Sequence, residues 1–179
     1  MTEEITNLPA TTPKQPNVPP QTKEPQETVT LVSLGGLEDV TRNMYLYQYK
    51  DEILIVDCGL GFPDETMLGV DLLLPDISYL LSTKKKIVGM VLTHGHEDHI
   101  GGIPFILREM SIPVIYGPAL AIGLLEGKLK EGGLESKTVM RKVRPRQKVK
   151  IGCFTVQFIR CTHSIADSFS LIIDTPVGK

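Results

Sequence analysis

The stretch His94-Gly95-His96-Glu97-Asp98-His99 holds three of the chain's four histidines within six residues. At this composition an H-x-H-x-D-H pattern arises by chance on the order of once in ten thousand such chains, so it reads as chemistry rather than coincidence. Zinc takes neutral imidazole and carboxylate ligands in a compact shell, and a catalytic site keeps one position open for water. In an extended segment, residues two apart point to one side, so His94 and His96 grip one metal while Gly95 lets the backbone come close. Asp98 and His99, one turn onward, are placed to serve a second metal.

Working outward, residues 87–92 form a continuous apolar run ending just before His94, the pattern of a strand buried on both faces. A loop at the carboxyl end of such a strand is where open sheets place their ligand sites. Helices are predicted over 101–110 and 119–130, the second with Leu120, Leu124, Leu125 and Leu129 on one face, and a short strand over 113–116 separates them. Upstream, 28–34, 43–49 and 52–57 read as strands, with Asp51 in a short hairpin gap, and 76–82 as a helix with Asp76 near its cap. Downstream, 137–143, 148–151, 154–160 and 169–174 read as strands. Strands first mix with helices and then dominate, which predicts an α/β layered sandwich.

His163, in Cys161-Thr162-His163-Ser164 at the end of a predicted strand, is the one histidine left to complete a first site with His94 and His96. Asp57 ends its strand and is placed to accept a hydrogen bond from a ligand histidine, although an Asp before Gly59 is equally a turn former. Glu97 is expected to point away. Cys58, Cys153 and Cys161 are odd in number and lack CxxC spacing; they are expected as small buried residues in a reducing, cytoplasmic setting.

Hydrophobic residues at 41% and charged residues at 22% indicate an ordinary soluble globular chain, and a net charge of -2 gives no general attraction to polyanions. The longest nearly apolar run, 112–125, is interrupted by Pro and Gly and too short to span a bilayer, so no membrane partner is expected. Export is not expected either, since no basic patch and apolar stretch open the chain. Residues 1–28 hold six of the thirteen prolines and no aromatic residue, which predicts a flexible tail before a domain over 29–179. Arg141, Lys142, Arg144, Arg146, Lys148 and Lys150 offer a track for a phosphate backbone. Their alternation with Val143 and Val149 favours the plainer reading, the exposed face of a half-buried hairpin.

The segment from Thr93 to Gly102 resembles the signature of the metallo-β-lactamase superfamily and, within it, the ribonuclease J family most closely. Three further stretches share that resemblance: Leu34-Gly35-Gly36 with Arg42-Asn43-Met44, Gly69-Val70-Asp71 with Leu74-Pro75-Asp76, and Thr162 to Ser168. The last has Ala166 where the family usually has Pro. The resemblance implies a metallo-β-lactamase fold and an RNA-degrading enzyme with 5′-to-3′ exonuclease and endonuclease activity, its site holding two zinc ions. By carry-over, His94, His96 and His163 bind one zinc, and Asp98 and His99 bind the other and act in catalysis. It also implies a homo-oligomer in the complete protein.

The family's bridging aspartate, its later histidine and its inserted β-CASP domain have no counterpart in these residues, so a longer enzyme is expected; Asp174 is a weak substitute for the bridge. Two other readings share the cluster. One is a different hydrolase of the same fold acting on a thioester or lactam; the other is a non-catalytic single-zinc module.

Overall fold

The computed structural model describes residues 27–37 and 39–179. Apart from Glu27 and Thr28, the expected tail over 1–28 lies outside the described residues. The three front strands form as β1 (Thr30–Gly35), β2 (Met44–Tyr49) and β3 (Glu52–Val56), paired antiparallel in order. The β2–β3 hairpin turns through Lys50 and Asp51, with Lys50 at φ 50°, the left-handed conformation a two-residue hairpin turn requires.

A crossover carrying α1 (Ser78–Ser82) leads to β4 (Lys86–Val91), parallel to β3. The Asp76 carboxylate accepts the Ser78 N–H at 2.9 Å, as its position before the helix foretold. After β4 come α2 (Glu97–Ile100), α3 (Ile103–Glu109), β5 (Val114–Gly117), α4 (Ala119–Glu131) and β6 (Val139–Lys142). The helix expected over 101–110 is thus shorter and preceded by a separate turn. Gly101 and Gly102 divide the two, and Pro104 opens α3, where its missing N–H costs nothing.

Strands β1 to β6 make one sheet in sequence order, with β3 to β6 parallel. A second, antiparallel sheet contains β7 (Lys148–Ile151), β8 (Phe154–Arg160) and β9 (Phe169–Asp174). The expected α/β layering is present, and among the described residues all four helices cover one face of the larger sheet while the smaller sheet covers the other. Met44, Leu46, Ile55, Met90 and Ile115 fill the helix side; Leu54, Val56, Phe154, Val156 and Phe158 fill the space between the sheets. A bulge in β4 places Ile53 opposite Ile87 and Leu54 opposite Gly89, so Val88 is extra. That extra residue lets Val88 and Val91, three apart, both face the smaller sheet.

Two expectations need correction. The buried face of α4 is Ala121, Ile122, Leu125 and Leu129; Leu120 and Leu124 are exposed, because the helix packs on the sheet about a stripe one residue round from the all-leucine one. The segment 141–150 is not a hairpin: β6 pairs with β5 in the larger sheet, β7 with β8 in the smaller, and the basic loop crosses between them. Cys58 is buried as expected, whereas Cys161 is exposed.

Candidate metal centre

Four segments meet where β3, β4 and β8 end. The residues after β3 lie against the turn that follows β4: Cys58 N–H donates to the His99 carbonyl at 2.8 Å, Leu60 N–H to that of Glu97 at 3.1 Å, and Gly102 N–H to that of Cys58 at 3.0 Å. Asn43, just before β2, donates its backbone N–H to the Asp98 carbonyl at 3.0 Å, and its side-chain amide reaches the same carbonyl at 3.1 Å. Phe169, opening β9, donates to the Thr93 carbonyl at 3.0 Å and ties the smaller sheet to the site.

Asp57 organises the centre. It is 2% exposed and sits at φ 58°, a left-handed conformation that Asp tolerates better than most residues. Its carboxylate accepts the Thr93 N–H at 2.8 Å, the Thr93 hydroxyl at 2.7 Å and His99 Nδ1 at 2.8 Å. Because the Thr93 hydroxyl spends its proton on Asp57, it can only accept from His94 Nδ1, 2.9 Å away. Both tautomers follow: His94 and His99 carry their protons on Nδ1, and each presents a bare Nε2. Of the two readings of Asp57, the one in which it orients a histidine describes the geometry, and the turn conformation serves it.

His94 Nε2 lies 3.1 Å from His96 Nδ1 and 3.1 Å from His163 Nε2. One imidazole nitrogen has one lone pair and cannot satisfy two such neighbours by hydrogen bonding. The three ligand atoms lie within 4.8 Å of one another. A metal bonded to imidazole at about 2.05 Å in a tetrahedral shell sets its nitrogens roughly 3.3 Å apart, so the donor set fits a metal ion at its centre. His99 Nε2 is 3.5 Å from Asp98 Oδ2, a second pair of donors beside the first. Glu97 turns away to pair with Lys128 at 2.7 Å. Asp174, at the far end of β9 opposite Thr155, pairs with Lys179 at 3.5 Å and is not brought to the centre.

Burial, reinforced by the neighbouring histidines, pushes His94 down to about 4 against the opposing pull of Asp57, so it stays neutral and able to ligate. Burial also lowers His99, but the Asp57 hydrogen bond and the charges of Asp57 and Asp98 together outweigh it and leave His99 raised. Replacing Asp57 with Asn keeps the turn but faces His99 Nδ1 with a weaker, neutral partner. Metal affinity is expected to fall roughly 10- to 100-fold with the circular-dichroism spectrum unchanged. Competition against a chromophoric chelator measures this, and parental affinity would reduce Asp57 to a turn residue.

Sequence reasoning did not find Thr93 as the proton relay between Asp57 and His94, nor Asn43 as the support of Asp98. Thr93 was legible only as the residue before the cluster; Asn43 lies 55 positions from Asp98, and nothing local signals the contact.

Residues 37–159 match the family model described as the metallo-beta-lactamase superfamily. The chain is 50% identical over 153 residues to a protein named ribonuclease J from Synechocystis sp., covering 85% of this chain and 24% of that protein. It is 44% identical over 161 residues to ribonuclease J of Thermus thermophilus, covering 86% and 28%. The chain therefore spans about a quarter of the length of the curated relatives it matches. Among solved structures it resembles the metallo-beta-lactamase fold protein YhfI from Bacillus subtilis, with TM-score 0.57 and 22% identity over 83% of this chain and 58% of that one. It also resembles Zn(2+)-bound PqqB from Methylobacterium extorquens, with TM-score 0.54 and 9% identity over 76% and 50%. At these identities the two structures speak for the fold alone.

Proposed function

The chain belongs to the metallo-β-lactamase superfamily, and on that premise we propose that it forms the metal-binding part of a zinc-dependent ribonuclease that hydrolyses RNA phosphodiesters. The observation that carries this reading is the convergence of three bare imidazole nitrogens beside the Asp98–His99 pair, in a chain half identical to a ribonuclease J. His94, His96 and His163 would hold one zinc, and Asp98 with His99 would hold a second and stand next to the reacting phosphate. Bound zinc supplies Lewis acidity, polarising a phosphoryl oxygen and activating water near neutral pH.

The protein's own part is orientation. The Asp57–Thr93 network fixes both histidine tautomers, and the backbone bonds from Cys58, Leu60 and Asn43 hold the Asp98–His99 turn rigid, so no reorganisation is needed when substrate arrives. Exonuclease and endonuclease activity, a cytoplasmic setting and homo-oligomeric assembly of the whole protein belong to the same reading. Among the described residues no helix is long and apolar enough to cross a membrane.

The test is to titrate metal-free protein with zinc and offer it 5′-labelled single-stranded RNA, a thioester and a β-lactam in parallel. The expected result is zinc uptake with RNA shortening alone. Turnover of the thioester or lactam with intact RNA would move the protein to another branch of the same fold.

A further inference from the structure

Residues 137–160 carry eight of the chain's nineteen Lys and Arg and none of its twenty-one Asp and Glu. In a chain of net charge -2 this is a strong local separation of charge. The alternation that favoured an ordinary hairpin does not describe it, because the loop after β6 crosses from the larger sheet to the smaller one. Lys142, Arg144, Pro145, Arg146 and Gln147 line a shallow surface cavity of about 650 Å³. Lys142 reaches Glu126 at 3.6 Å; among the described residues, Arg141, Arg144, Arg146, Lys148 and Lys150 have no acidic partner.

The loop is built rather than loose. Arg146 N–H donates to the Phe158 carbonyl at 2.7 Å, Phe158 N–H to the Gln147 carbonyl at 3.1 Å, and Arg144 N–H to Gln147 Oε1 at 2.9 Å. These bonds hold Arg146 at φ 65°, a conformation unfavourable for arginine that persists only when its surroundings impose it. Its place is the strand-end edge that carries the metal centre. Val143, just past β6, donates to the Gly117 carbonyl at 2.9 Å, at the end of β5, the strand next to β4. On the other side β7 lies two strands from the Phe169–Thr93 junction, roughly 10 Å at ordinary strand spacing.

We infer that this loop is a rim that grips the phosphate backbone of single-stranded RNA extending from the metal centre; the choice of RNA rests on the ribonuclease reading of that centre. Arginine forks match phosphate oxygens in paired hydrogen bonds, and a prebuilt loop loses little freedom on binding. No aromatic residue occurs between 137 and 153, so the rim has no platform for stacking bases. Its grip is therefore electrostatic and blind to base sequence.

The experiment measures fluorescence anisotropy of labelled oligo-uridylate and oligo-adenylate with metal-free protein in chelator, over a series of salt concentrations. The R144Q/R146Q double variant is expected to weaken both oligonucleotides equally, about tenfold, and to flatten the log–log salt slope by about 1.4, for two phosphates released. A charge-matched K84Q/K86Q control, at the opposite end of β4, is expected to keep the parental slope. Parental affinity and slope in R144Q/R146Q, or an equal loss in the control, overturns the rim. Loss of poly-glutamate binding with RNA binding intact overturns it in favour of an acidic protein partner. Catalysis is judged separately, on zinc-loaded parent protein: RNA that is bound by the rim and never cut sinks the ribonuclease reading alone.

Discussion

Replacing His94 and His96 with alanine strips the protein of tightly held metal. Two of three converging nitrogens disappear, so the loss exceeds the roughly 10- to 100-fold expected for a partner outside the ligand shell. Elemental analysis after dialysis against trace zinc measures it. The fold is expected to survive, because Thr93 and His99 still satisfy Asp57 when His94 is gone. A folded double variant with parental metal content would place the ion elsewhere and remove the basis of the ribonuclease proposal.

The second large effect is expected from Gly59→Ala. A Cβ on Gly59 would stand 1.6 Å from the Asp98 carbonyl oxygen and 2.0 Å from its carbon. These are backbone atoms, so no rotamer change relieves the clash. Either the segment after β3 or the Asp98–His99 turn must lift, and the bonds from Cys58, Leu60 and Asn43 go with it. The stability loss should exceed the roughly 1–3 kcal/mol typical of one extra methylene in a packed core. Urea unfolding gives this value, and zinc titration reports the accompanying loss at Asp98 and His99. A variant of parental stability would show that this contact is looser than the geometry says. Gly123→Ala, with nothing within 4 Å of the added carbon, is the matched control.

Much of this was legible from the amino acids because it is local. The period-two alternation in β2 and the apolar run of β4 give their strands directly, and a cluster at a strand end announces a ligand site. Asp57 could be nominated because it closes a strand beside a glycine. What escaped is long-range. The rotation of α4 by one residue depends on where the sheet lies beneath it, which leucine spacing within the helix does not encode. That β6 and β7 belong to different sheets is decided by β5 and β8 competing for them, not by their own alternation. Thr93 becomes a relay only because Asp57, 36 positions away, takes its proton.

The two sheets also differ in how they reach the centre. His94 follows β4 of the larger sheet and is buried; His163 follows β8 of the smaller sheet, is exposed, and lies 69 positions further along the chain. An ion held by both acts as a rivet across the sandwich, closing a loop of that length much as a covalent cross-link would, with a stabilisation of roughly 4 kcal/mol on the chain-entropy scale. Metal and sandwich then hold each other: a chelator loosens the smaller sheet, and whatever pries the smaller sheet away releases the metal.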